Sequence, residues 1–218
     1  AGTSLNLDNI LIANNQLLNV NSGPHPSIQV AGNAQKVSIV DNVAEGTSSI
    51  VIGIAGRIDL GQPDNILIKG NHIFKHGALD LSDQINNSPG IYLDAAGNNI
   101  VIEKNVIRDG VRGITLSAEP VASSLITQYT LVRWNVLYNN SEMNIKLGAG
   151  NTTAMCSQSG EQKSSAVVHN TLYSDKGGPT NIHLACGEHF RVKNNIFSHT
   201  SSSAAFHYRF ANETVNPS

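Results

Sequence analysis

The sequence predicts an all-β solenoid of short stacked strands. Two observations carry that expectation. The chain repeats itself, and each repeat alternates apolar and polar residues. Seven segments align on one asparagine: "ILIANNQLL" (Asn15), "VSIVDNVAE" (Asn42), "ILIKGNHIF" (Asn71), "IVIEKNVIR" (Asn105), "TLVRWNVLY" (Asn135), "SAVVHNTLY" (Asn170) and "FRVKNNIFS" (Asn195). Their spacings are 27, 29, 34, 30, 35 and 25 residues. The phase is kept while insertions vary in length. A repeat of roughly 30 residues with such a constant phase suits a quasi-one-dimensional stack, in which no single unit could bury its apolar face alone.

Each copy carries a second apolar-x-apolar element: "SIQVAG", "VIGIAG", "GIYLDAAG", "GITLSAE", "NIKLGAG", "NIHLACG" and "AFHYRF". Period-two alternation and Val/Ile enrichment fit strands, and the stretches are too short and too rich in Asn and Gly for helices. One repeat therefore reads as strand, asparagine bend, short strand, variable loop, strand, variable loop. The asparagines have a physical reason to recur. Asn tolerates the left-handed backbone region that a sharp bend needs. Amides stacked at the strand spacing can also hydrogen-bond to one another up the stack. The expectation is an asparagine ladder of Asn15, Asn42, Asn71, Asn105, Asn135, Asn170 and Asn195.

Composition narrows the function classes. The 218 residues form a single predicted domain over 1–218, with a C-terminal tail at 209–218. Net charge is -2 and no Lys/Arg run occurs, which argues against a nucleic-acid partner. No apolar stretch nears the roughly 18 residues that span a bilayer. "AGTSLNLDN" lacks the basic and apolar regions of a signal peptide. The first repeat begins within ten residues, with no preceding helix to plug the core. That bare end predicts a fragment of a longer solenoid, a missing partner domain, or self-association through the uncapped N-terminal end.

In this pattern the chain resembles the right-handed parallel β-helix proteins of the pectate-lyase-like superfamily, over about residues 5–210. The resemblance implies a right-handed parallel β-helix of about seven coils. It places the asparagines in the tight turn between the second and third strands. "ILIKGN" is then a second strand, "HIF" a third and "GIYLD" the first strand of the next coil. It further implies a polysaccharide partner bound along the first-strand face. A shared fold assigns no activity by itself.

Residues two apart on a strand share a face. With Ile91 and Leu93 inward, one outward column should contain Gln29, Gly53, Tyr92, Thr115, Lys146, His183 and His207. A parallel column should contain Ala31, Ala55, Asp94, Ser117, Gly148, Ala185 and Arg209. The polar chemistry is concentrated in the third to sixth copies, on a face expected to be solvated. Neighbouring loops add Arg112, Glu119, Glu188 and His189. Three uses of this face are open. β-Elimination on a uronate polymer would take Lys146, beside His183, as base, Tyr92 as acid and Arg112 or Arg209 as neutraliser of the substrate carboxylate, with Asp94 and Glu119 as weak candidates to hold Ca²⁺. Glycoside hydrolysis needs two carboxyls, from Asp94 and Glu119 or from Asp80 and Asp83. Binding alone could use Tyr92, Tyr138, Tyr173, Tyr208 and Trp134 against sugar rings. The expected catalytic set is Lys146, His183, Tyr92 and Asp94. The expected substrate-binding set is Arg112, Glu119, Thr115, His207 and Arg209. The competing class is an adhesive or fibre-forming module. No CxxC, HxH or HExxH occurs, which argues against a transition-metal site.

The longest insertions, near 18–27, 75–89, 117–128, 148–164 and 173–180, are expected to wall a groove along this face. Cys156 and Cys186 follow matching strands of adjacent copies. A disulfide there would imply export to the cell surface, periplasm or medium. Two buried thiols are the other reading.

Overall fold

The structure is a computed structural model that describes residues 7–77, 88–117, 125, 127–148, 162–174, 180–185, 187–200 and 208–210. Cys156, Cys186, Glu119, His207, Asp80 and Asp83 lie outside the described residues. So does the C-terminal tail beyond Phe210.

The described chain is all β, in three parallel sheets. The first sheet contains Ile28–Ala31, Ile52–Ala55, Pro89–Asp94, Arg112–Ser117, Met143–Leu147, Thr180–Leu184 and Tyr208–Phe210. The second runs through Leu7–Ala13, Ala34–Val40, Asp64–Lys69, Asn98–Glu103, Thr127–Arg133, Ala166–Val168 and Arg191–Lys193. The two-residue strand Gln162–Lys163 also pairs with Thr127–Arg133. The third is made of Gln16–Leu18, Val43–Glu45, His72–Phe74, Val106–Arg108, Val136–Tyr138, Thr171–Ser174 and Ile196–His199. Apart from Gln162–Lys163 and Ala166–Val168, which share the second sheet, consecutive strands of the chain fall in different sheets, and each strand pairs with the matching strands of the turns before and after it. That is a parallel β-solenoid.

The core follows from register. Ile39, Ile68, Ile102, Val132 and Val167 occupy paired positions on the second sheet and are buried. Ile52, Ile91, Ile114, Ile145 and Ile182 do so on the first sheet. Ile73, Ile107, Leu137 and Leu172 complete the interior from the third. Like side chains stack on like, which fills the interior without changing its cross-section.

The turn between the second and third sheets is built from amides. Nδ2 of Asn15 donates to Oδ1 of Asn42 at 2.9 Å, and the bond repeats from Asn42 to Asn71, Asn71 to Asn105, Asn105 to Asn135, Asn135 to Asn170 and Asn170 to Asn195 at 2.9–3.0 Å. Each Oδ1 also accepts the backbone N–H of the preceding asparagine. Nδ2 of Asn71 and Asn135 further donates to main-chain carbonyls.

One expectation about these asparagines is corrected. They do not adopt the left-handed region themselves. The residue before each one does: Asn14, Asp41, Gly70, Lys104, Trp134, His169 and Asn194, with φ between 54° and 68°. The asparagine's part is to hold the bend from the inside by hydrogen bonds, so the bent residue can be of almost any type. A second left-handed column, Asn9, Lys36, Asn65, Asn99, Tyr129, Ser164 and His189, lies six residues ahead of each asparagine.

Candidate functional site

The outer face of the first sheet gathers the polar residues. Tyr92 pairs with Thr115, Thr115 with Lys146, and Lys146 with His183, so these four occupy one column on successive strands. Asp94 pairs with Ser117 two positions along. His207 lies outside the described residues, and the next described position of the column is Arg209. His183 pairs with Arg209, while Tyr208 and Phe210 take the positions beside Ile182 and Leu184. Arg209 therefore extends the first column and not the second. A shift of two residues keeps the same face, so alternation alone could not have fixed this register.

The face is also less open than its pattern suggests. Thr115 is 2%, Lys146 7% and His183 4% exposed, against the solvated face expected. At the N-terminal end of the sheet Pro26 lies over the same column. A Cβ added at Gly53 would come within 2.4 Å of the Pro26 ring.

Arg112 is buried and engaged by Glu142 through two bonds, Nε to Oε2 at 2.6 Å and Nη2 to Oε1 at 2.7 Å. This fork satisfies the guanidinium geometry and balances its charge. Burial, and then the positive charge of Arg112, push the Lys146 amine down to about 8, while Glu142 acts the other way. The neutral amine is thus accessible near neutral pH. Thr115 Oγ1 is buried with no hydrogen-bond partner. The column therefore combines a proton acceptor poised near neutrality with a phenol and an imidazole on either side of it.

Behind this face lies a second polar row that the repeat pattern did not reveal. Asn140 Nδ2 donates to Asn144 Oδ1 at 2.9 Å, and Asn144 Nδ2 donates to Asn181 Oδ1 at 2.7 Å. All three are buried. Asn144 and Asn181 occupy the positions that Gly90 and Gly113 hold on the preceding strands, just ahead of the aligned isoleucines. A Cβ at Gly113 would meet Leu137 at 2.4 Å. The signal in sequence is the change from "GI" to "NI" at one phase.

His76 is buried at the same end of the third sheet and donates from Nε2 to the Arg112 carbonyl at 2.7 Å. A carbonyl only accepts, so Nε2 carries the proton. Burial holds this imidazole down at about 4, opposed by that bond. Gly110 makes room for it, since a Cβ there would sit 1.9 Å from the His76 ring.

Other expected site residues fall elsewhere. Glu188 and His189 lie beside Lys163 at the entrance to the second sheet, with Glu188 bonded to Lys163 at 2.9 Å. Tyr138 and Tyr173 pair on the third sheet, and Arg108 lies over Phe74 and Tyr138 there. Trp134 is 46% exposed at the turn, with the Arg133 guanidinium 4.2 Å from its ring centroid. Asp94 is the described member of the candidate Ca²⁺ pair. Among the described residues no three His, Cys, Asp or Glu side chains converge as a metal site would require, and no helix is long and apolar enough to cross a membrane. Set against family models, curated proteins and solved structures, the chain matches none, so its site is read from its own residues.

Proposed function

We propose that the chain is an exported protein that acts on polysaccharide, cleaving an extended glycan bound along the outer face of the first sheet. In this reading the solenoid is a right-handed, pectate-lyase-like β-helix of about seven coils, and its asparagine row is the ladder of that architecture. The observation that carries the reading is Lys146. Burial and Arg112 push its amine down to about 8, in one column with Tyr92 and His183. An amine so disposed is what a general base needs near neutral pH.

For an acidic glycan the step is β-elimination. The neutral Lys146 amine takes the proton alpha to the uronate carboxylate. The bond to the β oxygen breaks as the carbon–carbon double bond forms. Tyr92 returns a proton to the departing oxygen. Arg112 is already balanced by Glu142, which leaves Arg209 as the better candidate to neutralise the substrate carboxylate. Hydrolysis is the alternative cleavage, with Asp94 as one carboxyl and Ca²⁺ as a candidate companion of Asp94 and Glu119.

The test is a screen of acidic and neutral polysaccharides, read by ultraviolet absorbance of unsaturated uronates and by reducing-sugar release. Turnover should rise with pH through about 8 as Lys146 loses its proton. Lys146→Ala should lower it by about a hundredfold or more. Unchanged turnover in that variant refutes the site.

The burial of Thr115, Lys146 and His183 favours a second reading, a non-catalytic binding, adhesive or fibre-forming module. Absence of product from every polymer, with large species in light scattering, would establish that reading instead.

A further inference from the structure

On the outer face of the second sheet, near its C-terminal end, lies a shallow groove of about 350 Å³. Its origin is in side-chain size. The strand Ala166–Val168 puts small residues between bulkier rows. Leu131, Ala166 and Arg191 stand at one register position on successive strands. Arg133, Val168 and Lys193 stand at the next. A trough with an apolar floor of Leu131, Ala166 and Val168 results, with His169, Arg191 and Lys193 along its side. A volume of this order suits a small-molecule unit or one to two residues of a polymer.

Among the described residues the charge here is only partly compensated. Arg133 and Lys69 share Glu103, and Lys163 holds Glu188. Among the described residues no carboxylate pairs with Arg191, Lys193 or Lys104. The whole chain carries a net charge of -2, so this local cation excess is not a property of the surface at large.

We propose that this groove binds an anionic sugar residue, as an accessory subsite for an acidic polysaccharide, distinct from the first-sheet face. The preference for an anion rests on the groove alone; the choice of a glycan rests on the function proposed above. The apolar floor suits the C–H face of a sugar ring, and Arg191 and Lys193 suit its carboxylate. A single-stranded nucleic acid fits less well, because base stacking needs a bare aromatic face. The adjacent Trp134 ring is covered by Arg133 at 4.2 Å and approached by Lys104 at 5.7 Å.

Trp134 is the chain's sole tryptophan and gives the experiment its readout. An unbranched oligouronate and its fully methyl-esterified, neutral form are titrated against the whole chain by tryptophan fluorescence and by calorimetry. The acidic form should bind and change the fluorescence, weakening as salt rises. The Arg191→Ala/Lys193→Ala double variant should bind about tenfold more weakly with an unchanged melting temperature, since both side chains are exposed. Ala166→Leu, which fills the trough, should weaken binding likewise. Lys146→Met should leave the fluorescence titration unchanged, so loss of cleavage and loss of this subsite are separable. Equal binding of the methyl ester, unaltered affinity in the double variant, or absence of both heat and fluorescence change overturns the proposal. Stronger binding of oligothymidylate or of phosphatidylserine vesicles than of the oligouronate overturns it too.

Discussion

The turn between the second and third sheets and the outer face of the first sheet are built on the same scaffold and behave oppositely. The turn receives an asparagine in the same bonds from one copy to the next, buried from Asn42 to Asn170 and more open at Asn15 and Asn195. The first-sheet face changes residue at every step, from Gln29 and Gly53 to Tyr92, Thr115, Lys146 and His183. Repetition there would stack like charges about one strand spacing apart. The turn can be uniform because an amide is donor and acceptor at once, so one residue type closes an indefinite row. Uniformity marks what holds the solenoid together, and departure from it marks where chemistry can be placed.

The largest expected effect is on the uniform region. Asn105→Ala removes the acceptor of the Asn71 backbone N–H and side chain, takes one of the two donors from Oδ1 of Asn135, whose bond from the backbone N–H of residue 105 remains, and removes the donor to the Ile68 carbonyl. Leaving buried groups unpaired should destabilise by about 4 kcal/mol, measured by urea unfolding. Asn15→Ala, at the half-exposed end of the row, should lose about 1 kcal/mol. Equal losses at both sites would show that the row is no more than a set of local turns.

Much of this contrast was legible in sequence, and the exceptions have physical causes. Seven aligned apolar patterns fix the strand phase, because a slip by one residue would expose every Ile and Val. The parallel solenoid follows from that. The left-handed residue was misplaced by one position. Its identity varies from Gly70 to Trp134, so no residue type betrays it. Asn140, Asn144 and Asn181 were missed because their row begins partway along the chain, where Gly90 and Gly113 had preceded it. The fork between Arg112 and Glu142 joins side chains 30 positions apart from two different copies, and pairing of that kind has no period. Burial of Lys146 and His183 is likewise invisible to alternation, which tells which side a residue faces and not what lies above it.

Next in size is an acid effect. His76 falls from 6.5 to about 4 on folding. The unfolded chain therefore takes up the proton first. Stability is full above pH 6.5, declines as pH falls toward 4 and then levels, with a loss of about 3 kcal/mol. Unfolding at stepped pH measures it, and His76→Asn should flatten this portion of the curve. A profile in His76→Asn as steep as that of the parent would move the acid sensitivity elsewhere.

Lys146 probes the variable face, with the same sign of pH dependence in a higher window. Its amine falls from 10.5 to about 8 on folding, so the unfolded state binds the proton more tightly. The penalty is full below pH 8 and fades as pH rises toward 10.5. Lys146→Met should stabilise by about 2 kcal/mol at pH 7, by an amount that shrinks across that window, while turnover disappears. A variant less stable than the parent at pH 7 would mean that the lysine is structural, and the contrast between the two regions would collapse.

The smallest effect tests why the turn accepts any residue before its asparagine. At Gly70 a Cβ would lie 2.1 Å from Asp41 Oδ1, a contact that the exposed Asp41 carboxylate relieves by rotating, so glycine there is favoured by its left-handed φ of 68° and not required by space. Lys104 occupies the same position on the next strand with φ 57°, and its strain is conformational, roughly 1–2 kcal/mol for an L-residue. Lys104→Gly removes that strain but raises the entropy of the unfolded chain by about 0.5–1 kcal/mol. It also gives up the contact of the amine with Trp134 at 5.7 Å, worth about 0.5 kcal/mol at an exposed ring. The net change should be within about 1 kcal/mol of zero in thermal unfolding. A loss well beyond that would assign the bend to Lys104 and Trp134 themselves, and the asparagines would no longer account for the turn.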